Sequence, residues 1–245
     1  MPDIEAAAQS NARAEAVRRE ISISKAVIHA EEELVQDPQE PSSAQVSDDW
    51  LLRWRDCAAN VSSDELQSLW GKVLAGEVKA PGRYSLRTLE FLRNLSQNEA
   101  RAIERLSAFV VSDVIYRDDK AIEAEGVPFS LLLSMQELGI ISGVAAVGLE
   151  ISWGSLHNER FERPLVSHGR VLMVKNPDPT KILKLQIYQV TALGRQVLQL
   201  GTFQPNESYL RKLGAAIKAQ GFDVEIGSYV QIDTNRINLF KVEPL

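Results

Sequence analysis

Apolar positions from Ser62 onward follow the spacing of an amphipathic helix. They fall at i, i+3, i+4, i+7 and i+8, which is one face of a helix with 3.6 residues per turn: Leu66, Leu69, Trp70, Val73 and Leu74. Ser62 and Glu65 have the spacing of a capping box. Gly76 follows the stripe, at the place where a left-handed residue ends a helix. The pattern predicts a helix that begins at Ser62 and ends within two residues of Ala75.

Two more helix starts follow a turn. Pro81-Gly82 favours a tight turn, because proline presets φ and glycine accepts positive φ. Ser85 can cap a second helix, and Ser96 with Glu99 repeats the capping box. The second helix carries Leu86, Leu89, Leu92 and Leu95, and the third carries Ala100, Ile103, Leu106, Val110 and Val114.

Residues 3–36 predict a long helix whose apolar side chains do not form a clean heptad. Such a helix is marginal alone, so it needs a neighbour. Three interpretations stay open: contact with a second copy or a partner, partial disorder, or a place on a membrane surface. The acidic run Glu31-Glu32-Glu33 disfavours the membrane surface, since helices that bind there carry basic polar faces.

Three tryptophans between residues 47 and 70 predict the core of the helical region. Ser47 or Asp48 can cap a helix that carries Trp50 and Trp54, and Trp70 follows in the next helix. A tryptophan stripe at helical spacing is typical of a core, because the indole buries a large area and needs one polar partner. We interpret residues 47–116 as a four-helix unit.

After residue 117 the pattern changes to mixed helices and strands. It predicts a helix at 128–138 and strands at 147–153, 170–175 and 182–190, followed by a helix at 192–200 capped by Thr191. This order resembles a winged-helix unit with an enlarged wing.

The C-terminal segment predicts a helix and a hairpin. Asn206 can cap the helix, and strands at 222–226 and 229–233 would meet across Gly227-Ser228, with a third strand at 237–242. The fold class is therefore α+β, an N-terminal helical bundle followed by a winged-helix-like half with a small antiparallel sheet. The predicted segments are an N-terminal helix (1–36), a linker (37–46), the four-helix unit (47–116), the winged-helix-like unit (117–201) and a terminal unit (202–245).

Charge is unevenly distributed along the chain. The net charge is −6, and the first 125 residues hold 15 basic and 23 acidic side chains. This acidic half does not favour nucleic acid, which binds basic side chains. One cysteine, Cys57, excludes an internal disulfide and is typical of a reducing compartment. With no membrane-spanning run and no signal peptide pattern, we expect a cytoplasmic protein.

The sequence lacks a recognisable catalytic or cofactor motif. His29, His157 and His168 are far apart and have no metal-ligand spacing. Gly154-Ser155 lacks the following glycine of a hydrolase elbow, and no glycine-rich phosphate loop is present. We therefore predict no enzyme activity, no metal and no cofactor.

One string of residues carries a family resemblance. The string reads Leu69-Trp70-Gly71-Lys72-Val73-Leu74-Ala75-Gly76-Glu77, then Pro81-Gly82, then Tyr84-Ser85-Leu86-Arg87-Thr88-Leu89-Glu90, then Leu95-Ser96-x-x-Glu99-Ala100. It resembles the signature of an uncharacterised bacterial domain family. It is more loosely similar to the abortive-infection alpha proteins. The resemblance implies a place in anti-phage defence and assigns no catalytic residue.

Two functional hypotheses follow. The first is a non-enzymatic defence protein, a sensor or adaptor that self-associates through the N-terminal helix or recruits an effector. Its predicted contact residues are Arg83, Tyr84, Arg87 and Glu90, because the apolar stripes leave them unexplained. A local alternative for two of them is an ion pair between Arg87 and Glu90.

The second hypothesis is a winged-helix regulator that binds DNA. A group of basic side chains, called here the basic patch, would contact phosphates: Arg160, Arg163, Arg170, Lys175, Lys181 and Lys184. The helix at 128–138 opposes this hypothesis, since it offers no arginine, lysine or asparagine to read base edges.

Overall fold

The computed structural model of the chain describes residues 2–36, 41–145, 149–233 and 236–245. Contacts between elements divide it into two units, Met1–Leu95 and Ser96–Leu245. The architecture is α+β, with helices first and small antiparallel sheets after them, which confirms the predicted fold class. The predicted linker at 37–46 lies partly outside the described residues. The other predicted segment boundaries stay predictions. The contacts place the helix that was predicted to begin at Ser96 in the second unit.

The described residues of the first unit form four helices. They are α1 (Pro2–Gln36), α2 (Asp48–Ala58), α3 (Asp64–Lys79) and α4 (Leu86–Asn94). Helix α1 packs along α3, and α2 contacts α1, α3 and α4.

The three tryptophans form the core of this unit, as predicted. Trp50, Trp54 and Trp70 are buried. The Trp50 Nε1–H donates to the Tyr84 carbonyl at 2.7 Å, and the Trp54 Nε1–H donates to the Trp70 carbonyl at 2.9 Å. The indoles of Trp50 and Trp54 thus have the polar partner that burial requires.

Helix α3 differs from its predicted bounds at both ends. Its cap is Ser63, one residue later than predicted, whose hydroxyl accepts from the Leu66 amide at 3.3 Å. The helix continues past Gly76 to Lys79. A side-chain carbon at Gly76 would lie 2.7 Å from Cε2 of Tyr84, so the glycine leaves room for the tyrosine ring and does not end the helix.

The predicted caps at Ser85 and Ser96 are confirmed, whereas Ser47 lies at the N-cap position of α2 and makes no side-chain cap hydrogen bond. The Ser85 hydroxyl accepts from the Thr88 amide at 3.2 Å. Ser96 and Glu99 form both bonds of the capping box at the start of α5 (Gln97–Ser107). The bonds from Ser96 lower the pKa of the Glu99 carboxyl, because they favour its charged form.

Helix α5 is shorter than predicted, since it ends at Ser107 and does not continue to Val114. Ser112 and Asp113 have φ of 48° and 64°, which is the left-handed region and incompatible with a helix. They make a tight turn in which the Val111 amide donates to the Val114 carbonyl at 2.8 Å. Val114 then begins a strand.

The second unit alternates helices and strands. After α5 come β1 (Val114–Tyr116), α6 (Asp119–Ala124), α7 (Phe129–Glu137), β2 (Ile141–Ser142), β3 (Leu149–Trp153), β4 (Phe161–Ser167), β5 (Arg170–Asn176), β6 (Leu183–Val190), α8 (Ala192–Leu198), α9 (Glu207–Lys218), β7 (Asp223–Asp233) and β8 (Arg236–Pro244). The order from α5 to β6 is the one expected of a winged-helix unit, with β4 and β5 in the wing. Strand β4 was not predicted.

The strands form two antiparallel sheets. In the first, β6 pairs with β1, β2 and β3. In the second the order is β4-β5-β7-β8. The wing strands therefore pair with the C-terminal hairpin and form a sheet together with it.

The predicted hairpin turn at Gly227-Ser228 is wrong. Strand β7 runs without a break through both residues, and Gly227 pairs with Val171 of β5. A side-chain carbon at Gly227 would lie 2.9 Å from Cγ2 of Val242 in β8, at a register shift between the two strands. The glycine therefore permits a close approach at a bulge, which is its usual role inside a strand.

Candidate functional site

The predicted contact residues lie at and after the turn that joins α3 to α4, and a buried carboxylate holds this turn in place. The Glu77 side chain accepts from the Gly82 amide at 2.6 Å and from the Tyr84 amide at 2.8 Å. Glu77 is 3% exposed. Because charge-assisted hydrogen bonds are strong and a buried amide without a partner is costly, this carboxylate fixes the path of residues 80–85.

Tyr84 is the buried centre of the turn. Its side chain is 3% exposed, its ring packs over Gly76, and its carbonyl accepts from Trp50. Burial raises the pKa of the Tyr84 phenol. The tyrosine therefore holds the turn against the tryptophan core, and Arg83 lies beside it, with its guanidinium carbon 5.7 Å from the ring centroid.

The remaining two contact residues lie on the outward face of α4. Arg87 is exposed, and it makes no ion pair within the described part of the chain. Glu90 pairs with Arg53 at 3.2 Å and with Arg93 at 4.0 Å. The anticipated pair between Arg87 and Glu90 is therefore replaced by pairs with other arginines.

Leu86 adds an apolar side chain beside these charges. It was predicted to lie in the buried stripe of α4, but it is 47% exposed. Thr88, Leu89 and Leu92 form the buried face instead. The outward face of α4 thus combines a leucine with Arg87 and Glu90, next to the fixed turn that bears Arg83. We call these four residues the α4 surface.

Sequence reasoning missed Glu77. One signal could have identified it, since a glutamate in the last turn of a helix opposes the helix dipole, which favours basic residues there. An unfavourable residue at such a position indicates a local partner. In this chain the partners are the two amides of the turn.

The basic patch in the second unit is engaged in contacts within the unit. Arg170 and Lys175 pair with Glu207 and Glu225, at 3.2 Å for Arg170 Nη2 and 2.6 Å for Lys175 Nζ. Lys184 lies 3.6 Å from Glu150. Three glutamates from distant parts of the chain therefore offset charges that look unbalanced in the sequence.

The other members of the basic patch have partners as well. Arg160 pairs with Glu162 at 2.8 Å. The Arg163 Nε–H donates to the Gly154 carbonyl at 3.0 Å, and burial lowers the pKa of this guanidinium. Lys181 donates to the Gly221 carbonyl at 2.7 Å and lies 4.5 Å from the Phe222 ring centroid.

Helix α7 occupies the position of a recognition helix, and its exposed side chains are poor base readers. They include Phe129, Ser130, Ser134 and Glu137. Arginine, lysine, asparagine and glutamine make the bidentate contacts that read base edges. Gln136 is the one such residue of α7, and its side chain is half-buried and accepts from the Val144 amide at 2.7 Å. A glutamate here would also be repelled by phosphates.

A groove of about 630 Å³ lies between α5 and α7. Its apolar wall contains Ala102, Leu131 and Leu138, and Glu99 and Glu137 supply its charge. Apolar side chains with carboxylates at the edge match a protein segment better than a nucleic acid.

A smaller cavity of about 300 Å³ lies beside the turns at Ser112 and His168. Its polar atoms are used in the fold. The His168 Nε2 lies 2.8 Å from the Ser107 carbonyl, and the Arg195 Nη1–H donates to the Val190 carbonyl at 3.3 Å. These hydrogen bonds to backbone carbonyls indicate that the polar side chains of this cavity stabilise the fold.

The described residues contain no group of three or more histidine, cysteine or acidic side chains arranged to hold a metal ion. His29 lies 3.1 Å from Glu32 and 3.5 Å from Asp64, and His157 is exposed. Cys57 is buried, which raises the pKa of its thiol. Within the described ranges, no helix combines the length and apolarity of a membrane span.

Fold and site together define an α+β protein whose helical first unit presents a fixed, charged turn. Residues 7–123 match a family described as protein of unknown function (DUF2806). This match contains the turn and every member of the α4 surface, and it agrees with a resemblance to an uncharacterised domain family. No curated protein and no solved structure matches the chain.

Proposed function

We propose that this chain is a non-enzymatic sensor or adaptor of bacterial anti-phage defence, of the abortive-infection type, which binds a separate effector or a phage component and associates with itself. The defence context rests on the resemblance of residues 69–100. The binding role is supported by one observation above all: Glu77 holds the turn that bears Arg83, and Arg87 at the start of α4 is exposed with no ion pair to any residue that the structure describes.

The composition of the α4 surface suits a protein partner. Arginine is enriched at the energetic centres of interfaces, and its planar guanidinium can bind a carboxylate through two hydrogen bonds. Leu86 offers apolar area next to Arg87. The turn is ordered before binding, so little conformational entropy is lost when a partner docks.

A phage challenge tests this proposal. Cells that carry the gene with its neighbouring genes are infected with a panel of phages, and plating efficiency is compared for wild type, Arg87→Glu and Arg101→Glu. Arg101 is a matched control, because it is an exposed helical arginine in the other unit. We expect wild type and Arg101→Glu to reduce plating, and Arg87→Glu to lose the protection.

Two results would reject parts of this proposal. Equal plating on cells with and without the gene, across the panel, rejects the defence role. Full protection by Arg87→Glu, with a normal far-ultraviolet circular dichroism spectrum, rejects the α4 surface as the binding site.

A second candidate function is that of a cytoplasmic winged-helix regulator that binds DNA. The element order from α5 to β6 favours it. A mobility shift with labelled duplex at several salt concentrations tests it. Tight binding that weakens steeply with salt, and that is lost when Lys181 and Lys184 become glutamate, would support the regulator. Binding that stays at the level of a neutral control protein would reject it.

A further inference from the structure

Helix α1 has two apolar faces, and only one of them is used within the chain. The buried face contains Ile23, Ala26 and Ala30, which are at most 7% exposed. This face packs closely on α3, since a side-chain carbon at Gly71 would lie 2.9 Å from the Ala26 carbonyl. The approach explains why small residues occupy this side of the helix.

The second face is a stripe of exposed branched side chains, called here the α1 stripe. Its members are Val17, Ile21, Ile28 and Val35, with exposed fractions of 59%, 52%, 52% and 86%. On a helix with about 100° per residue they lie within roughly 40° of one another, and Ala26 lies about 180° from Val17. The stripe thus runs along the side of α1 opposite α3.

The spacing of the α1 stripe is that of a helix-pairing seam. Steps of four and three residues connect Val17, Ile21, Ser24, Ile28, Glu31 and Val35. Such alternation keeps one line of side chains facing a partner helix. Residues 4–18 are exposed on all sides, so the helix offers the partner a length beyond the part that packs on α3.

The charged side chains of α1 also fall into two groups, one that is paired within the chain and one that is not. Those near the body of the unit are paired within the chain: Arg19 with Asp56, Glu20 with Arg55, and Glu33 with Lys72. Those on the outward side of α1 differ, because Arg13, Arg18 and Lys25 beside the stripe, and Glu31 within the seam, form no ion pair with any described residue. The unused charges therefore accompany the unused apolar face.

These charges select a second copy in the antiparallel direction. A parallel pair would set Glu31-Glu32-Glu33 beside the same triplet and Arg13 beside Arg18. An antiparallel pair with Val17 next to the second copy's Val35 brings Arg18 near Glu32, and the two-fold axis repeats this contact. In this register the Arg18–Glu32 contacts attract at both ends of the pair, whereas Lys25 of the two copies meets near the axis and Glu31 faces Ile21.

We infer that two copies of this chain associate through the α1 stripe as an antiparallel helix pair. This inference rests on the proposed function in one respect, because it specifies the surface through which the proposed self-association occurs. It can fail while the defence role holds. Ser24 and Glu31 are polar positions of the seam, and they make the pair weaker than an all-apolar seam would be.

Sedimentation equilibrium of the full chain tests the association. We expect a dimer at concentrations on the order of 100 µM. Ile21→Asp and Ile28→Asp should each weaken it by about 100-fold, because a carboxylate would be buried without a partner. Leu52→Asp is the matched control, since Leu52 is 63% exposed on α2, and it should leave the dimer unchanged. A monomeric wild type, or equal weakening by Leu52→Asp, overturns the inference.

The direction of the pair has its own test. Arg18→Glu should weaken an antiparallel dimer by about tenfold, and adding Glu32→Arg in the same chain should restore it. In a parallel dimer Arg18→Glu would instead relieve the repulsion from Arg13 and strengthen association. Strengthening by the single change, or no recovery in the double variant, overturns the antiparallel arrangement. Neither change touches Arg87, so the phage assay of Arg87→Glu remains a separate readout.

Discussion

The turn at Glu77 and the basic patch of the second unit both contain many charged side chains, and they use them in opposite ways. At the turn, one buried carboxylate is satisfied by backbone amides, and Arg87 on the following helix is exposed and makes no ion pair with a described residue. In the basic patch, glutamates from distant segments offset Arg170, Lys175 and Lys184. The comparison teaches that the charge available to a partner depends on contacts across the fold, and a local count of basic residues does not measure it.

The largest effect is expected from removing the carboxylate of the turn. Glu77→Ala leaves the buried Tyr84 amide without its partner and removes the charged acceptor of the exposed Gly82 amide, so we expect the free energy of unfolding to fall by about 3 kcal/mol. Urea denaturation measures it. Glu65→Ala, at an exposed position of the same helix, should change stability by less than about 1 kcal/mol. Equal losses in the two variants would show that Glu77 does not hold the turn.

The next effect concerns the space that Gly76 leaves for Tyr84. Gly76→Ala should improve helix propensity, but the added carbon would lie 2.7 Å from the buried ring. We expect a net loss of about 2 kcal/mol in the free energy of unfolding. Repeating the change in a Tyr84→Ala background should abolish this loss, which a double-mutant cycle by urea denaturation detects. An unchanged loss in that background would place the strain elsewhere.

A smaller effect is expected when the basic patch loses its acidic partners. The triple variant Glu150→Gln, Glu207→Gln and Glu225→Gln frees Lys184, Arg170 and Lys175. We expect about tenfold tighter nonspecific binding of a short DNA duplex at low salt. Fluorescence anisotropy measures it.

The control for this prediction is a triple variant with the same change in charge, Glu104→Gln, Glu123→Gln and Glu125→Gln, at exposed positions of the second unit. Equal gains in both triple variants would mean that net charge alone governs the binding. In that case the pairing within the basic patch would have no role in masking it.

The smallest effect tests a paired phenol in the second unit. Tyr188 donates to Asp119 at 2.6 Å, and burial, followed by Asp119, raises the pKa of Tyr188 to about 12. Because the folded pKa lies above the ordinary value, the associated stability is complete below pH 10 and is lost as the pH rises towards 12. Tyr188→Phe should lower the free energy of unfolding by about 1 kcal/mol at pH 7 and reduce this alkaline loss. An unchanged alkaline loss would contradict the assignment.

Features decided by neighbours in sequence could be predicted. The caps at Ser85, Ser96, Thr191 and Asn206 are found as expected, because a hydroxyl or amide oxygen reaches an amide three residues later. The tryptophan core followed from helical spacing in the same way.

Features decided by distant contacts could not be predicted. Gly76 and Gly227 resembled a helix end and a hairpin turn, yet Tyr84 and Val242 determine their roles. Val114 continued the spacing of the preceding helix, but a tight turn places it in a strand. In the candidate site, the sequence indicated Arg83 and Arg87 and gave no sign that Tyr84 is buried.

The distribution of tryptophans gives the chain a built-in optical reporter. Three of its four indoles lie in the first unit and are at most 5% exposed, whereas Trp153 lies in the second unit, half-buried beneath the Arg163 guanidinium. Emission at short wavelength that resists iodide quenching therefore comes mainly from the first unit. Iodide quenches the half-buried Trp153 more readily, so the fraction of emission that iodide removes follows the second unit. Recording both signals during one melt shows whether the halves lose their structure together.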